Sequence, residues 1–446
     1  MCSNPLKFAI AVYSIWNFTN GIVLPISPLL AKLDIENKIK LFDVTKIATD
    51  INFEKQKFPS HLNFINIHAP LTNNKNNNKT NPDKIRLQRN RSDPALIIPT
   101  SGTTGTQKGV VYNLTKLQNQ SLSMAECWSL SENDHFLNML PLNHIHGFVN
   151  NFYLPLFYLN AKITFTEKFN PKMFIETILE FGTINVFMGV PTMYSQIVSY
   201  YKKLEKDKKK ELSERLSKFK IFLCGSAPLS EKTENEWSSI SRKPLVQRFG
   251  MSECGMVLSN DPKNVAKKSV GVQMPKIRAK LDQNGIRCVG KPNVGELLVK
   301  SENIFEEYYK NGEKTKMSFK DGWFKTGDIF KFDDKRKVFL YLGRKNVDFV
   351  QINGFKVSLM EVEKLIVSSN LAEEALIAKR SKNGVDYLEC FLVKNSESKN
   401  FEEDLIKLKK WLKKNVSGHM IPRKINFVKE IKKNALGKIA RSFYNK

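Results

Sequence analysis

Ten residues constrain this chain more than any others. Thr100–Gly109 reads TSGTTGTQKG, with three glycines, four threonines, one serine and one lysine, directly after the apolar stretch Pro94–Pro99. A strand that runs into a glycine- and hydroxyl-rich loop and leaves on a lysine is suited to cradle phosphate. Backbone N–H groups face the oxygens, while hydroxyls and Lys108 add donors and charge. The spacing is not that of a Walker A loop. A flexible Ser/Thr/Gly linker shares the composition, but needs neither a leading strand nor a closing lysine.

The surrounding text predicts alternating strands and helices. Pro94–Pro99, Ile184–Met188 and Ile221–Leu223 read as buried strands and Thr115–Met124 as a helix, which argues for α/β layers. Phe8–Trp16 reads as a buried helix and Gly21–Pro25 as a short strand. Phe8–Trp16 is also the longest apolar run, too short for a membrane span of about 20 residues. Asn73–Asn81, NNKNNNKTN, is low in complexity and expected to be a disordered loop. After about residue 343 the pattern becomes a smaller, lysine-rich α+β segment. The 446 residues allow two or three domains of ~150 residues each.

Six cysteines, at 2, 127, 224, 254, 288 and 390, form no CxxC pair. That excludes a disulfide scaffold or zinc ribbon and fits a reducing compartment. No secretion leader or Arg/Ser-rich presequence is visible. The formal net charge is +27, from 71 Lys+Arg against 44 Asp+Glu. A nucleic-acid or membrane-surface partner is the sharp explanation, but no RNP, zinc-finger or KH pattern accompanies the charge. The lysines are spread along the chain, and the cluster Lys202–Lys210 reads as a solvated helix face. A positive field still draws anionic substrates inward.

Further motifs follow in order. They are PLNHIHG at 141–147, GSAPL from Gly225, RFGMSECG from Arg248 and DGWFKTGD at 321–328. Gly343-Arg344, GFKVSLMEVE from Gly354 and NALGKIAR at 434–441 complete the series. Together with the loop at Thr100, this series resembles the adenylate-forming superfamily: acyl-CoA synthetases, luciferases and peptide-synthetase adenylation domains. The likeness covers nearly the whole chain from Leu6. LPLNHIHGFVNNFYLPL, INVFMGVPTMY and RFGMSECGMVLS carry a nearer likeness to the malonyl-CoA synthetase branch.

The resemblance implies a fold, a reaction and a set of roles. The fold is α/β: a large multi-layer N-terminal domain of β-sheets flanked by helices, 1–343, and a small mobile α+β C-terminal domain, 344–446. The reaction joins a small-molecule carboxylate to CoA through an acyl-adenylate, with ATP, Mg²⁺ and CoA as partners. No nucleic acid and no membrane span are expected. Thr100, Ser101, Gly102, Thr103, Thr104, Gly105 and Lys108 would hold the ATP phosphates. Gly225, Ser226 and Ala227 would flank adenine. Asp328 would accept the ribose hydroxyls, since a carboxylate offers paired acceptors, and Arg344 would contact the ribose at the domain junction. Glu253 would hold Mg²⁺, a hard oxygen ligand for a hard cation. Lys438 would bridge the substrate carboxylate and the α-phosphate. His144 and His146 would wall the passage between carboxylate and thiol. Arg248, with Gly250 and Met251, would meet the second carboxylate of a diacid, because a buried carboxylate requires a fixed cation. After a hinge at Arg344-Lys345-Asn346, Gly354, Phe355 and Lys356 would line the thiol tunnel. Taken alone, several of these residues have plainer explanations: Lys438 and Arg248 as basic surface, Asp328 as a turn residue, the histidines as satisfied core.

Four departures from the family pattern stand out. Gln107 replaces a proline, Asn353 replaces a glycine, and Gln196 replaces a basic residue beside the diacid pocket. The family's first strand–helix units are missing before Phe8, so the N-terminal domain reads as truncated or reduced. Malonate or methylmalonate is the expected substrate. The rivals are a medium- or long-chain fatty-acid–CoA ligase and a catalytically impaired homologue acting as a binding module. By resemblance the location would be mitochondrial, with the cytoplasm as the alternative.

Overall fold

A computed structural model describes residues 1–51, 58, 62–67, 89–101, 107–166, 168–283, 293–352, 355–382, 385–394, 401–432 and 441–444, less the side chains of 101, 355, 356, 382, 401, 402 and 442. The segment Asn73–Asn81 lies outside the described residues. The chain divides into two compact units. One comprises Met1–Val265, Gln273–Arg278 and Lys300–Phe324; the other comprises Ala266–Val272, Ala279–Val299 and Lys325–Lys446. Residues 266–272, 279–299 and 325–343 thus cluster with everything after 344.

The first unit opens with the helix Pro5–Phe18. Asn4 caps it, its side chain accepting from the N–H groups of Leu6 and Lys7, and Pro5 occupies the first turn where no donor is needed. Phe8, Val12 and Trp16, four residues apart, form its buried face. Phe8 packs on Phe148 and Phe152, and the Trp16 indole donates to the Ala95 carbonyl at 2.9 Å. The stretch Gly21–Pro25 is not a strand. It makes one parallel bridge, Val23 to Leu96, because Pro25 brings no N–H for a longer ladder.

The centre of this unit is an open sheet. Beyond the two-residue edge strand Val272–Gln273, its strands run in the order Gly255–Ser259, Leu245–Met251, Ile221–Cys224, Val186–Gly189, His135–Asn138 and Lys162–Phe165. Among these, all neighbours are parallel except the first pair, a hairpin. The parallel strands are short apolar runs, as strands covered on both faces must be. Leu137, Phe187, Phe222 and Leu245 pack against Phe174, Tyr194 and Trp237 from the flanking helices in one core. The lysine cluster spans the end of helix Pro191–Lys202 and the start of Lys206–Ser217, and most of it is exposed, as expected of a solvated face.

A separate hairpin pairs Pro94–Ser101 with Gln107–Asn113, Thr100 opposite Lys108. The sequence also folds His146–Leu159 into a π-helix, a form that recurs at functional sites.

In the second unit, the part of strand Trp323–Asp333 from Lys325 onward pairs with Val338–Arg344 so that Asp328 lies opposite Arg344. Farther on come the hairpin Phe349–Ile352 with Phe355–Ser358, and the helix Leu359–Ser368, capped by Ser358. The strands Ala372–Lys382, Val385–Lys394 and Lys424–Val428 form a sheet whose core includes Ile377, Leu388, Leu408 and Leu412.

Candidate active site

Open parallel sheets bind ligands beyond the carboxyl ends of their strands. The motifs lie there. His135–Asn138 leads to His144 and His146, Ile221–Cys224 to Gly225, Ser226 and Ala227, and Leu245–Met251 carries Arg248, Gly250 and Met251 and leads to Glu253.

Arg248 is buried, at 3% exposure. Its guanidinium lies against Gly225, where a Cβ would sit 2.7 Å from Cζ, so a side chain there would have to displace the guanidinium. Burial pushes the Arg248 pKa down to about 10, with the Cys224 thiol and Tyr194 phenol as its leading electrostatic neighbours rather than a carboxylate. It therefore stays charged at neutral pH, and among the described residues its Nη2 has no hydrogen-bond partner. His146 is also buried. Its Nδ1 meets Ser226 Oγ at 3.3 Å, and its Nε2 has no partner among the described residues. Burial first, then the charges of Arg248 and His144, hold its imidazole well below the usual histidine range, so it is neutral. Ser226 adopts φ +71°, a left-handed conformation unusual outside glycine. His144 is half-buried and Gln196 is exposed on its helix. A buried guanidinium without an acid beside it is costly unless an anion arrives to pair with it.

A second cluster surrounds Glu253. Tyr308 donates to Glu253 Oε1 at 2.9 Å, and Lys108 Nζ stands 5.1 Å from the Tyr308 ring centroid. Burial, and then Glu253, push the Tyr308 phenol far up, so it remains a donor. Residues 305–309 run along the hairpin edge: Tyr309 N donates to Gly109 O, Val111 N to Glu307 O and Phe305 N to Glu253 O. Tyr112 Oη donates to Ser252 O at 2.7 Å. These bonds bring the hairpin stem, with Thr100 and Lys108, to Glu253. Among the described residues no group of three acidic, His or Cys ligands could hold a metal by itself. One carboxylate suits Mg²⁺, which typically takes one or two protein carboxylates and completes its shell with substrate phosphates and water.

The second unit holds a third cluster. Asp328 is 1% exposed. It accepts from Tyr341 Oη at 3.1 Å and Arg344 Nε at 3.3 Å, while its Oδ2 has no partner among the described residues. Burial, only partly offset by Arg344, raises its carboxyl to about 6. The Arg344 backbone N–H donates to Asp348 Oδ2 at 2.8 Å, and Asp348 Oδ1 pairs with Arg441 Nε at 2.8 Å. Arg441 also grips Glu363 through two bonds, at 2.8 and 2.9 Å.

Gly102, Thr103, Thr104, Gly105, Gly354 and Lys438 lie outside the described residues, as do the side chains of Ser101, Phe355 and Lys356. Tyr308 and Tyr341, which orient the two key carboxylates, had no local signal in the sequence; each meets its partner only through the fold. Asn150 is a further addition, fully buried in the π-helix with both amide atoms unpartnered among the described residues.

Residues 1–309 match the AMP-binding enzyme family, and the chain belongs to that family. Among curated relatives, it is 29% identical to a malonate–CoA ligase of Arabidopsis thaliana over 97% of this chain and 75% of that one. It is 31% identical to the human mitochondrial malonate–CoA ligase ACSF3, over 78% of this chain and 65% of that one. The chain spans 62% of a probable CoA ligase from Humulus lupulus, with 31% identity over 80% of its own length. The ATP-bound MatB structure from Rhodopseudomonas palustris shares the fold, with a TM-score of 0.84 at 23% identity over 100% of this chain and 87% of the other.

Proposed function

We propose that the chain is an ATP-dependent malonate–CoA ligase. The observation that carries the choice of a diacid is Arg248: a buried, charged guanidinium with an unpartnered Nη2, beside a neutral imidazole with an unpartnered Nε2. A monoacid tail would leave that charge unpaired; the second carboxylate of malonate neutralises it, and arginine suits a planar carboxylate. The names of the Arabidopsis and human relatives agree with this reading.

In the proposed reaction a carboxylate oxygen of malonate attacks the α-phosphorus of ATP. An acyl-adenylate forms and pyrophosphate leaves. The CoA thiolate then attacks the acyl carbonyl and expels AMP. The residues contribute mainly by position and charge. Arg248 holds the carboxylate that does not react. Thr100, Lys108 and their loop hold the triphosphate, and Glu253, which accepts from Tyr308, would hold Mg²⁺, which would offset phosphate charge. Asp328, steadied by Tyr341 and Arg344, accepts the ribose hydroxyls. Lys438 supplies charge in adenylation, and residues from 344 onward act as the mobile domain, turning about Arg344-Lys345-Asn346 so that Gly354, Phe355 and Lys356 face the thiol. Human ACSF3 is named mitochondrial, and the same location is proposed here, testable by fractionation of the source cells.

Pyrophosphate exchange tests the reading. Malonate should drive ATP–pyrophosphate exchange, and CoA should then give malonyl-CoA. Preference for butyrate or a long-chain acid over malonate in kcat/KM would refute it. For the two orientations, Lys438→Ala should abolish exchange but largely spare thioester formation from supplied malonyl-adenylate; equal loss in both would reject them.

A further inference from the structure

The phosphate loop leaves its hairpin at Gln107, opposite Ser101. At this root lies a contact between residues 69 positions apart: Lys38 Nζ donates to Gln107 Oε1 at 2.6 Å. Lys38 is 8% exposed, rare for a lysine, and although Asp34 one turn earlier offsets part of the cost of burial, its hydrogen bond goes to the Gln107 amide. It sits on the helix Lys32–Leu41, whose Ile35 and Ile39 are anchored in a small core with Ile26 and Ile47. Phe42, just past the helix, lies so close to Gly109 that a Cβ there would be 2.5 Å from its ring. The helix and the loop's outgoing strand are therefore held in register at two points, Lys38 on Gln107 and Phe42 on Gly109. Burial lowers the Lys38 pKa. A cation kept there at that cost, and bonded to a neutral amide, has a task at the loop.

We propose that Lys38 is a positioning residue for the ATP phosphates, acting through Gln107 to fix the outgoing root of the loop beside Lys108. A proline at this position would restrict the backbone by itself, because its ring fixes φ. With glutamine no ring fixes φ at the strand's first residue, and the side-chain bond from Lys38 adds a restraint to the ladder pairing with Ser101. The proposal rests on the reading of residues 100–108 as the phosphate loop.

The test is direct nucleotide binding by calorimetry, without malonate or CoA. Lys38→Met keeps the length and apolar packing of the stem and removes the donor. It should weaken ATP by about five- to tenfold, the scale of one ordinary hydrogen bond's net contribution because Lys38 acts only through Gln107, and move AMP, which lacks the β- and γ-phosphates, by less than about twofold. Lys38→Arg should recover most of the ATP affinity. In a Gln107→Pro background, Lys38→Met should have almost no further effect. Equal weakening of ATP and AMP, or the same loss with and without Gln107→Pro, overturns the proposal. So does unchanged ATP affinity in a Lys38→Met protein with wild-type thermal unfolding. If Lys38→Met does not fold, the Gln107→Ala variant decides, since it removes the acceptor and should weaken ATP over AMP in the same way. A wild type that binds no ATP refutes the phosphate-loop reading itself.

Discussion

Arg248 and Asp328 are both buried ionisable groups, and they behave oppositely. Arg248 keeps its charge because the intrinsic basicity of a guanidinium leaves it protonated even after burial lowers its pKa to about 10. Arg248→Met should therefore remove the counter-charge for malonate but not for butyrate. Losing one partner of a buried pair costs ~2–5 kcal/mol, or roughly 30- to several-thousand-fold. The check is the ratio of kcat/KM for malonate and butyrate in both proteins; an unchanged ratio means Arg248 does not select the diacid. Asp328 does change charge in a useful range. Its folded pKa of about 6 lies above the ~3.9 of an unfolded aspartate. The folded state therefore keeps a proton that the unfolded chain has lost between those values. The stability this gives is fully present below the unfolded pKa and is lost as pH rises through about 6. In the proposed role of Asp328, ribose recognition would run the other way, since the ionised form would accept the hydroxyls. Adenosine, which carries no titrating phosphate, should bind about tenfold more weakly at pH 5 than at pH 7.5. Asp328→Asn should bind weakly at both; a wild-type affinity flat across this range counts against the role.

At the scale of elements, the short helix Arg441–Tyr444 is held by charge as much as by packing. Tyr444 joins a small core with Leu376 and Ile431, while Arg441 pairs with Asp348 and Glu363. Arg441→Met leaves two buried carboxylates without their cation, which should destabilise the second unit by ~3–5 kcal/mol. Denaturant unfolding followed by tryptophan fluorescence reads this directly; a loss below about 1 kcal/mol, the scale of an exposed pair, would place the bridge at the surface. The local elements were legible because short apolar runs and helix periodicity are local signals: Ile221–Cys224 and Leu114–Trp128 lie where the sequence puts them, within a few residues. The order of the phosphate, adenine and acid motifs was legible only through their resemblance to the adenylate-forming superfamily. Contacts that join distant segments were not. Nothing near Tyr308 announces that 305–309 will run along the hairpin, and nothing near Asp348 announces Arg441. Gly21–Pro25 shows the converse failure, in which an apolar run stops at a single bridge because Pro25 lacks the next ladder donor. The π-helix is hidden too, since its extra residue per turn blurs the period by which a helix is recognised.

For the whole molecule, an excess of 27 positive charges makes the compact state repel itself, and the buried guanidinium of Arg248, whose Nη2 has no partner among the described residues, adds a charge of the same sign. A ligand that binds only the folded state stabilises it by mass action, by about 2.7 kcal/mol at a hundredfold excess over Kd. Malonate alone, before any nucleotide is added, should therefore raise the melting temperature of the wild type and leave that of Arg248→Met unchanged, with butyrate weaker on the wild type. Thermal unfolding with each acid at matched ionic strength decides it, and equal shifts for malonate and butyrate would remove the pocket from the explanation. The practical meaning lies at the bench. If Arg248 takes the second carboxylate as proposed, small oxyanions such as citrate, sulfate or phosphate in a purification buffer should compete for the same guanidinium, and the solution that best preserves the protein would then be one that hides a preference for a diacid.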